Sequence, residues 1–259
     1  MNSLKSKICF VALTLVSLGI AIALSSKDNA WAESANDLRT LRSSNSCSRC
    51  NLVSVNLQGA YLQNSILVET KLNSANLRKA NLSYAFLVNS VLVDSDLREA
   101  DFRGANLSGA NLASANLYGI DLRGANLTGT SLKSAVLLFA DLRGTTLNNA
   151  NLSNSQLVGA SLQNSTLTNV NLSGSNLVDT DLTNSDLTNA QLVGVNLRNA
   201  NLRNANLSLA NLNGAELGGA NLENANLSGA IFNPNQMLKA RLCNTIMPDR
   251  SINNQNCSS

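Results

Sequence analysis

Four cysteines are the residues whose type and spacing could carry chemistry, and they stand in two pairs, Cys47 with Cys50 and Cys243 with Cys257. A Cys-x-x-Cys motif can serve as a redox centre or as half of a zinc site. A single such motif in a chain without His is a weak signal for zinc. A redox centre would need a thioredoxin-like βαβ setting, which this sequence lacks. All four are therefore predicted to be structural disulfide cysteines in an oxidising compartment, and the sequence leaves open whether Cys47 and Cys50 are bonded to each other.

The composition of the chain argues against catalysis. Its 259 residues include no His, so the commonest general base and the commonest metal ligand are absent. Aromatic residues make up 3% and Pro occurs twice, whereas Leu, Ala and Asn recur at fixed intervals. A repeat protein with a solid Leu-packed interior offers neither a cavity nor a cluster of titratable groups. The sequence predicts no enzyme activity, no metal site and no cofactor.

The N-terminal segment has the parts of a secretory signal peptide. Lys5 and Lys7 precede an uncharged apolar run over residues 8–24, and Ala30-Trp31-Ala32 supplies small residues at the cleavage-site positions. Cleavage is predicted after Ala32, which sends the mature protein to a periplasm or a thylakoid lumen. A retained membrane anchor is the alternative, because the 17-residue run is at the lower limit of a transmembrane span.

The charge of the mature chain is close to zero. Removal of residues 1–32 leaves 16 basic and 15 acidic residues, a net charge of +1. A protein that binds nucleic acid through its phosphates needs a strong basic excess on one face, and a protein that imitates nucleic acid needs an acidic excess. The sequence therefore predicts no nucleic-acid partner and, once the apolar run is removed, no membrane contact.

A five-residue period runs through the chain without interruption. Leu or Phe occupies every fifth position from Leu52 to Phe232, which makes 37 positions, 35 of them Leu. A small side chain stands two residues before each, Ala in 21 of 37 cases, and 13 of the chain's 15 Gly lie two residues after it. Successive Leu would step about 140° around a helix and would alternate faces on a strand. The backbone is therefore predicted to turn once per repeat, at the Gly position.

The number of sides in one coil can be estimated from a longer repeat. The motif Asp-(Phe/Leu)-Arg-Gly begins at Asp101, Asp121 and Asp141, so it recurs once in every four repeats. Like side chains stack one coil apart in a solenoid, so the spacing predicts four sides per coil and about nine coils. Burying one Leu contributes about 1.5 to 3 kcal/mol, whereas ordering five residues of backbone costs about 5 to 10 kcal/mol. A lone coil is therefore unstable, and the ends of the stack need caps.

The tandem A(D/N)LXX pattern of residues 50–233, as in Ala105-Asn106-Leu107, resembles the pentapeptide-repeat family. The resemblance implies an all-β fold, a right-handed quadrilateral β-solenoid with Leu at the centre of each side. The segments 47–52 and 242–249 also resemble the ends of secreted cyanobacterial members, lumenal or periplasmic. Family members that imitate DNA and protect gyrase are cytoplasmic and strongly acidic. This chain departs from them in both respects, so their activity is not expected here.

The chain is accordingly divided into four parts. They are a cleaved signal peptide at 1–32, an N-terminal cap at 33–49, the solenoid at 50–233 and a C-terminal cap at 234–259. Leu38 and Leu41 have helical spacing, and both caps are predicted to be short and helical. The pair Cys243 and Cys257 is predicted to fasten the second cap.

With Leu and Ala assigned to the interior, function is expected on outward positions, which form columns of residues 20 apart. Arg103 and Arg123 stand in one column beside Asp101 and Asp121 in another. An interleaved ion-pair ladder is the prediction, and an anion or calcium site is the alternative. A further column is rich in Ser and Thr, which are ordinary on exposed strands but could also bind ice or glycan. This threonine column comprises Ser108, Thr128, Asn148, Thr168, Thr188 and Ser208.

One outward column is apolar between Arg98 and Arg198. An exposed apolar stripe flanked by Arg is typical of a protein contact, and the alternative is ordinary packing of aromatic and β-branched residues across strands. A second apolar patch, with Ile66 and Phe86, is expected to lie beneath the N-terminal cap. The candidate partner contact comprises Tyr118, Val136, Leu138, Phe139, Val158 and Val178.

The sequence thus predicts a non-catalytic structural or protein-interaction module, secreted across a bacterial inner membrane or a thylakoid membrane. Its protein partner is not identified by the sequence. A surface for ice or glycan on the Thr and Asn face is the alternative function. The expected state is a monomer or an end-to-end dimer, because exposed strand edges at either end of a solenoid can pair.

Overall fold

The computed structural model describes residues 26–257, with side chains from residue 35 onward. The predicted signal peptide, residues 1–32, lies largely outside this range. No helix among the described residues has the length and apolar character needed to cross a membrane. The regular elements are helix α1 (Ser26–Ser44), a 3₁₀ helix (Pro234–Met237) and the antiparallel strands β1 (Thr245–Ile246) and β2 (Ile252–Asn253).

Between α1 and the 3₁₀ helix the chain forms a right-handed quadrilateral β-solenoid. Its strands are reduced to single parallel bridges, and each bridge joins residues 20 apart, from Ser46 with Ile66 to Asn226 with Ile246. This separation equals four repeats, so the backbone pairing has the four-sided coil that the Asp-Arg-Gly spacing predicts. The pairing extends beyond the predicted limits of 50–233 at both ends.

Each repeat uses its backbone in the same way, as the repeat around Leu117 illustrates. The Leu117 N–H donates to Val136 O in the next coil at 2.7 Å. Within the repeat, Ile120 N–H donates to Leu117 O at 3.2 Å and closes a turn. The second central residue of this turn, Gly119, has a φ of 62°, as a type II turn requires. Gly and Asn are favoured at this corner because they adopt positive φ at the lowest cost.

The interior of the rod holds the side chains that the period assigns to it. Every Leu of the five-residue series from Leu52 to Leu227 is buried, and Phe102 is fully buried in the same row. Where Ser or Thr replaces Ala at the small position, the buried hydroxyl bonds to a backbone carbonyl in every case but Ser65, whose Oγ has no partner. Thr130 Oγ1, for example, donates to Leu107 O at 2.9 Å. Without such a bond, a buried hydroxyl would cost about 1 to 3 kcal/mol.

Helix α1 covers the N-terminal end of the rod. Leu41 is buried against the first coil. The Asp37 carboxylate accepts a hydrogen bond from Asn51 N–H at 2.7 Å, and the Asn45 side-chain amide donates to Gln63 O at 2.9 Å. These contacts satisfy backbone groups of the first coil that have no preceding coil to pair with. A helix thus occupies the position predicted for the N-terminal cap.

The C-terminal cap differs from the predicted helix. Beyond the 3₁₀ turn, residues 238–257 contain the β1–β2 hairpin and no helix. The last coil has N–H groups with no following coil, and the hairpin supplies their acceptors. Leu242 N–H donates to Gln255 O and Met247 N–H to Ser251 O, both at 2.8 Å. A helix pairs all but its last four carbonyl groups internally and so offers few free acceptors to a coil edge. Apart from the 3₁₀ turn, the described part of this cap contains no helix, so the helical prediction for this end was wrong.

The five-residue series continues past Phe232. Met237, Leu242 and Met247 occupy the next three positions, and the first two of these are buried. Cys47, also buried, fills the position that precedes the series at the other end. Of these four positions only 242 holds Leu, and the other three hold Cys or Met. A search for Leu and Phe alone therefore ends the series too early at both ends.

The two cysteine pairs lie at the two ends of the rod. The sulfur atoms of Cys47 and Cys50, and those of Cys243 and Cys257, stand at disulfide distance, with Cα atoms 5.4 Å and 5.1 Å apart. Cys243 belongs to the last coil and Cys257 follows the hairpin, so the second bond ties the end of the hairpin back to the coil that it caps.

The inward and outward assignment can be tested on two adjacent leucines. Leu137 is fully buried and Leu138 is half-buried on the outside. Leu137→Ala should lower the free energy of unfolding by about 2 to 5 kcal/mol because it leaves a cavity in the core. Leu138→Ala should lower it by clearly less, because part of the Leu138 side chain is already in water and its removal leaves no enclosed cavity. Urea unfolding followed by circular dichroism measures both, and equal losses would contradict the assignment.

The role of the C-terminal hairpin can be tested by replacing Cys243 and Cys257 with Ser. In the chain-entropy account, a loop of this length contributes about 3 kcal/mol when closed. The double variant should show faster amide hydrogen exchange at Leu242 and Asn244, whose N–H groups the hairpin covers. Exchange at Leu137, in the middle of the rod, should not change. Unchanged exchange at Leu242 would show that the hairpin stays in place without the bond.

Candidate interaction surface

Four apolar side chains form a continuous strip on one face of the rod. Backbone pairing stacks Tyr118, Leu138, Val158 and Val178, here called the apolar stripe, one coil apart. Tyr118 is 43% exposed, and the other three are half-buried by their neighbours in the column. At about 4.8 Å per coil the stripe extends about 14 Å along the rod. Its side chains are accessible from solvent along this whole length.

Val136 and Phe139 widen the apolar stripe within a single repeat. The Phe139 ring, 59% exposed, lies at the corner of the coil with its centroid 5.8 Å from that of Tyr118, and the ring planes are at 76°. Val136 is half-buried and lines a shallow cavity of about 360 Å³ with Tyr118 and Leu138. All six residues predicted as a partner contact therefore lie together on one face and its adjoining corner.

Phe139 has an unfavourable backbone conformation. Its φ of 56° is in the left-handed region, which costs an L-residue about 1 to 2 kcal/mol. The ring lies over Gly159 in the next coil, where an added Cβ would stand 2.7 Å from the ring. The glycine at position 159 thus leaves the room that the ring occupies. The same arrangement recurs in two other corners, with Tyr84 over Gly104 and Leu209 over Gly229.

The arginines that flank the apolar stripe are ion-paired. Arg98 Nε donates to Asp96 Oδ1 at 2.8 Å, and Arg198 Nε stands 3.1 Å from Glu216 Oε2. The hydrogen bond from Arg98 holds the pKa of the Asp96 carboxyl below its usual range. The stripe is therefore bordered by paired charges of both signs rather than by a positive patch.

The adjoining face carries the predicted ion-pair ladder. Arg103 Nε donates to Asp101 Oδ1 at 2.9 Å and reaches Asp121 Oδ2 of the next coil at 3.7 Å; Arg123 repeats the arrangement one coil further on. The hydrogen bond from Arg103 lowers the pKa of Asp101. Residues 35–257 contain no group of three or more potential metal-ligating side chains close enough to share an ion. Asp101, Asp121 and Asp141 of this face are engaged with Arg, whereas Asp181 of the same column accepts hydrogen bonds from Gln163 and Thr183.

The threonine column is hydrogen-bonded within itself and to Asp186 and Asn206 of the neighbouring column. Thr168 Oγ1 donates to Asn148 Oδ1 at 2.9 Å, and Asn206 Nδ2 donates to Thr188 Oγ1 at 2.8 Å. Thr188 in turn donates to Asp186 Oδ1. These bonds give successive hydroxyl groups different partners and orientations, so the column is not a regular array.

Two exposed aromatic residues, Tyr61 and Tyr84, were not identified from the sequence. Seven aromatic side chains lie in the described range, and five of them are exposed, whereas Phe102 alone is in the core. Ile66 and Phe86, predicted to be covered by the N-terminal cap, are 45% and 49% exposed because α1 crosses the end of the rod and not its side. A bulky corner residue followed by Gly 20 positions later is the sequence signal that could have located two of the exposed rings, those of Tyr84 and Phe139.

Comparison with known proteins identifies the repeats. The family model described as "Pentapeptide repeats (8 copies)" matches overlapping segments that together span residues 46–247. Among solved structures, HetL, a pentapeptide repeat protein involved in heterocyst differentiation regulation from the cyanobacterium Nostoc sp. strain PCC 7120, is 36% identical. The match covers 83% of this chain and 97% of HetL with a TM-score of 0.52.

Two other solved structures match with lower TM-scores. A pentapeptide repeat protein from the thylakoid lumen of Arabidopsis thaliana is 29% identical over 42% of this chain and 65% of its own, with a TM-score of 0.25. QnrB1, a plasmid-mediated fluoroquinolone resistance protein, is 19% identical over 74% of this chain and 93% of its own, with a TM-score of 0.38. No curated protein matches the sequence.

The geometry and the comparisons agree on the class of protein. Coils of four repeats, positive-φ corners and buried Leu rows are what the matched repeats require, and the match covers most of the chain. Pentapeptide-repeat proteins are structural modules and are generally not enzymes. The chain belongs to the pentapeptide-repeat family.

Proposed function

We propose that this protein is a non-catalytic interaction module and that the apolar stripe, with Val136 and Phe139, binds a protein partner. The observation that carries the proposal is Phe139, a large apolar side chain held 59% exposed by a left-handed backbone. Every corner of the rod has this left-handed φ, and Gly and Asn fill most corners because they adopt it at the lowest cost, so backbone stability does not explain a large apolar residue at this corner. An Asn or Gly at this corner would fold at lower cost.

The exposed aromatic residues support an interaction role. Phe102 is accommodated in the core, so the Leu rows can accept an aromatic ring. Most other aromatic side chains in the described range are nevertheless outside. Tyr and Phe are enriched at the centres of protein interfaces, where they contribute a large apolar area with few rotatable bonds. Tyr118 and Phe139, in edge-to-face contact, have this character.

The dimensions and charge of the surface limit the kind of partner. The apolar stripe is about 14 Å long and one side chain wide, which corresponds to about three turns of a helix or a short extended segment. Paired charges border it, so affinity would come from apolar burial and not from attraction to an acidic or basic polymer. A mature-chain net charge of +1 likewise favours a protein over a nucleic acid.

The proposed site of action is a periplasm or a thylakoid lumen, reached after cleavage behind Ala32. Two cysteine pairs at disulfide distance support an oxidising compartment.

Residues 46–246, at four repeats per coil, correspond to about ten coils, one more than the nine estimated for 50–233. The mature rod is proposed to be a monomer, because the hairpin occupies the backbone edge through which an end-to-end dimer would form.

Val158→Asp tests the contact surface against a matched control. Val158 lies in the apolar stripe, whereas Val193 is the same residue type in the same outward position of a neighbouring face, 40% exposed. A partner captured by the wild-type protein from periplasmic or lumenal extract should be lost with Val158→Asp, because a charge would enter the apolar contact. The same partner should be retained by Val193→Asp. Retention by both folded variants would exclude the stripe as the contact.

Phe139→Asn separates function from stability. Relief of the left-handed strain, about 1 to 2 kcal/mol, should offset the loss of the edge-to-face contact, about 0.5 to 1.5 kcal/mol. The free energy of unfolding in urea should therefore change by less than about 1 kcal/mol, while capture of the partner should fall at least tenfold. Removal of a packed side chain is expected to cost more than about 2 kcal/mol. If Phe139→Asn lost that much stability and still captured the partner, Phe139 would be a structural residue.

A further inference from the structure

The C-terminal end of the rod contains a cavity of about 620 Å³ that the interaction surface does not involve. It lies between the 3₁₀ helix on one side and the β1–β2 hairpin on the other. Its floor is formed by Phe232, Met237, Leu242 and Met247, which are the inward positions of the last coil. In every earlier coil these positions are covered by the coil that follows. Here the hairpin covers backbone N–H groups, and Phe232 and Met247 remain partly exposed.

The residue types concentrated in this cavity occur almost nowhere else in the chain. The sequence has two Pro and three Met, one of which is Met1. Both prolines and both internal methionines line the cavity: Pro234, Pro248, Met237 and Met247. Met is unbranched and polarisable and adapts to ligands of varied shape. Pro lacks the N–H group needed to pair with another strand, so this end is unsuited to docking a second solenoid.

The polar groups of the cavity are all on one wall. Asp249, Ser251, Asn253 and Gln255 come from the hairpin segment, opposite the 3₁₀ helix. Asp249 is the one charged residue among those lining the cavity, and its carboxylate accepts hydrogen bonds from Ser251 N–H at 3.0 Å and Ser251 Oγ at 2.6 Å. These bonds hold the pKa of Asp249 below its usual range. A carboxylate with an ordinary Asp pKa is already ionised at neutral pH, so Asp249 makes this wall negative. An apolar floor beside a polar, negative wall matches a molecule with an apolar chain and an uncharged or cationic head.

We propose that this cavity binds the apolar chain of a small amphiphile, with an uncharged or cationic head group placed at Asp249. The volume is within the range of about 300 to 1,000 Å³ found for small-molecule sites. The proposal is independent of the apolar stripe, which lies on the side of the rod.

Two isoleucines at this end of the rod provide a matched test. Ile231 lines the cavity and is 56% exposed, whereas Ile252, 54% exposed, does not line it. The purified protein should bind the neutral fluorescent probe N-phenyl-1-naphthylamine, with enhanced emission. Ile231→Asp should weaken binding about tenfold or more by placing a charge in the apolar wall. Ile252→Asp should leave it unchanged.

The head-group assignment is tested by displacing the same probe. Decanol and decyltrimethylammonium should displace it, and decanoate should be about tenfold weaker because its carboxylate meets Asp249. Asp249→Asn should remove this difference. Leu238→Asp, at a 60% exposed residue of the same cavity, replaces Ile231→Asp if that variant fails to fold by circular dichroism. If the probe does not bind, or if the Ile231 and Ile252 variants weaken its binding equally, the cavity is not the binding site. If decanoate displaces the probe as well as decanol does, the assignment of the head group to Asp249 is wrong.

Discussion

A left-handed corner at every fifth residue is the constraint on which the rest of the structure depends. It turns the chain after each inward Leu, as Gly119 does with its φ of 62° after Leu117, and so prevents both helix and continuous strand. Four such turns close one coil, and the single bridge on each side pairs every coil with the next. Since one coil cannot offset the entropy of ordering its own backbone, stability comes from stacking, and the two ends require covers of different kinds.

The same constraint makes the outside of the rod a set of columns, in which residues one coil apart stand about 4.8 Å from each other. Charges in such columns form ladders, as at Asp121, whose carboxylate meets Arg123 in its own coil and Arg103 in the neighbouring coil. Apolar residues in a column form a stripe. Of the outward positions, the corners accept the fewest residue types, because their backbone is left-handed. A large apolar residue at a corner, such as Phe139, therefore indicates a function more strongly than Leu138, which lies on the flat side of the coil.

Most of the architecture could be predicted from the sequence because its determinants are local and repeated: Leu at the fifth position, small residues two before it, and Gly or Asn at the corner. The coil size followed from the recurrence of Asp-Arg-Gly at Asp101, Asp121 and Asp141. The C-terminal cap could not be predicted in this way, since it depends on which N–H groups of the last coil lack an acceptor and not on any period. The series also continued through Met237 and Met247, where the pattern had lost its Leu. Exposure of Ile66 and Phe86 depended on the path of α1 across the end of the rod, which no local pattern specifies.

Amide hydrogen exchange by NMR, read residue by residue along the rod, tests the central claim most directly. Four of every five amides donate to backbone, and the fifth, directly after Leu, bonds to the preceding Asn or Asp side chain where one is present. Leu138 and Val158 follow Val136-Leu137 and Gln156-Leu157, so they lack that Asn or Asp acceptor. The account predicts one weakly protected amide in every repeat, with the fastest exchange at positions such as Leu138 and Val158. Protection without a five-residue period, or slow exchange at Leu138 and Val158, would contradict it.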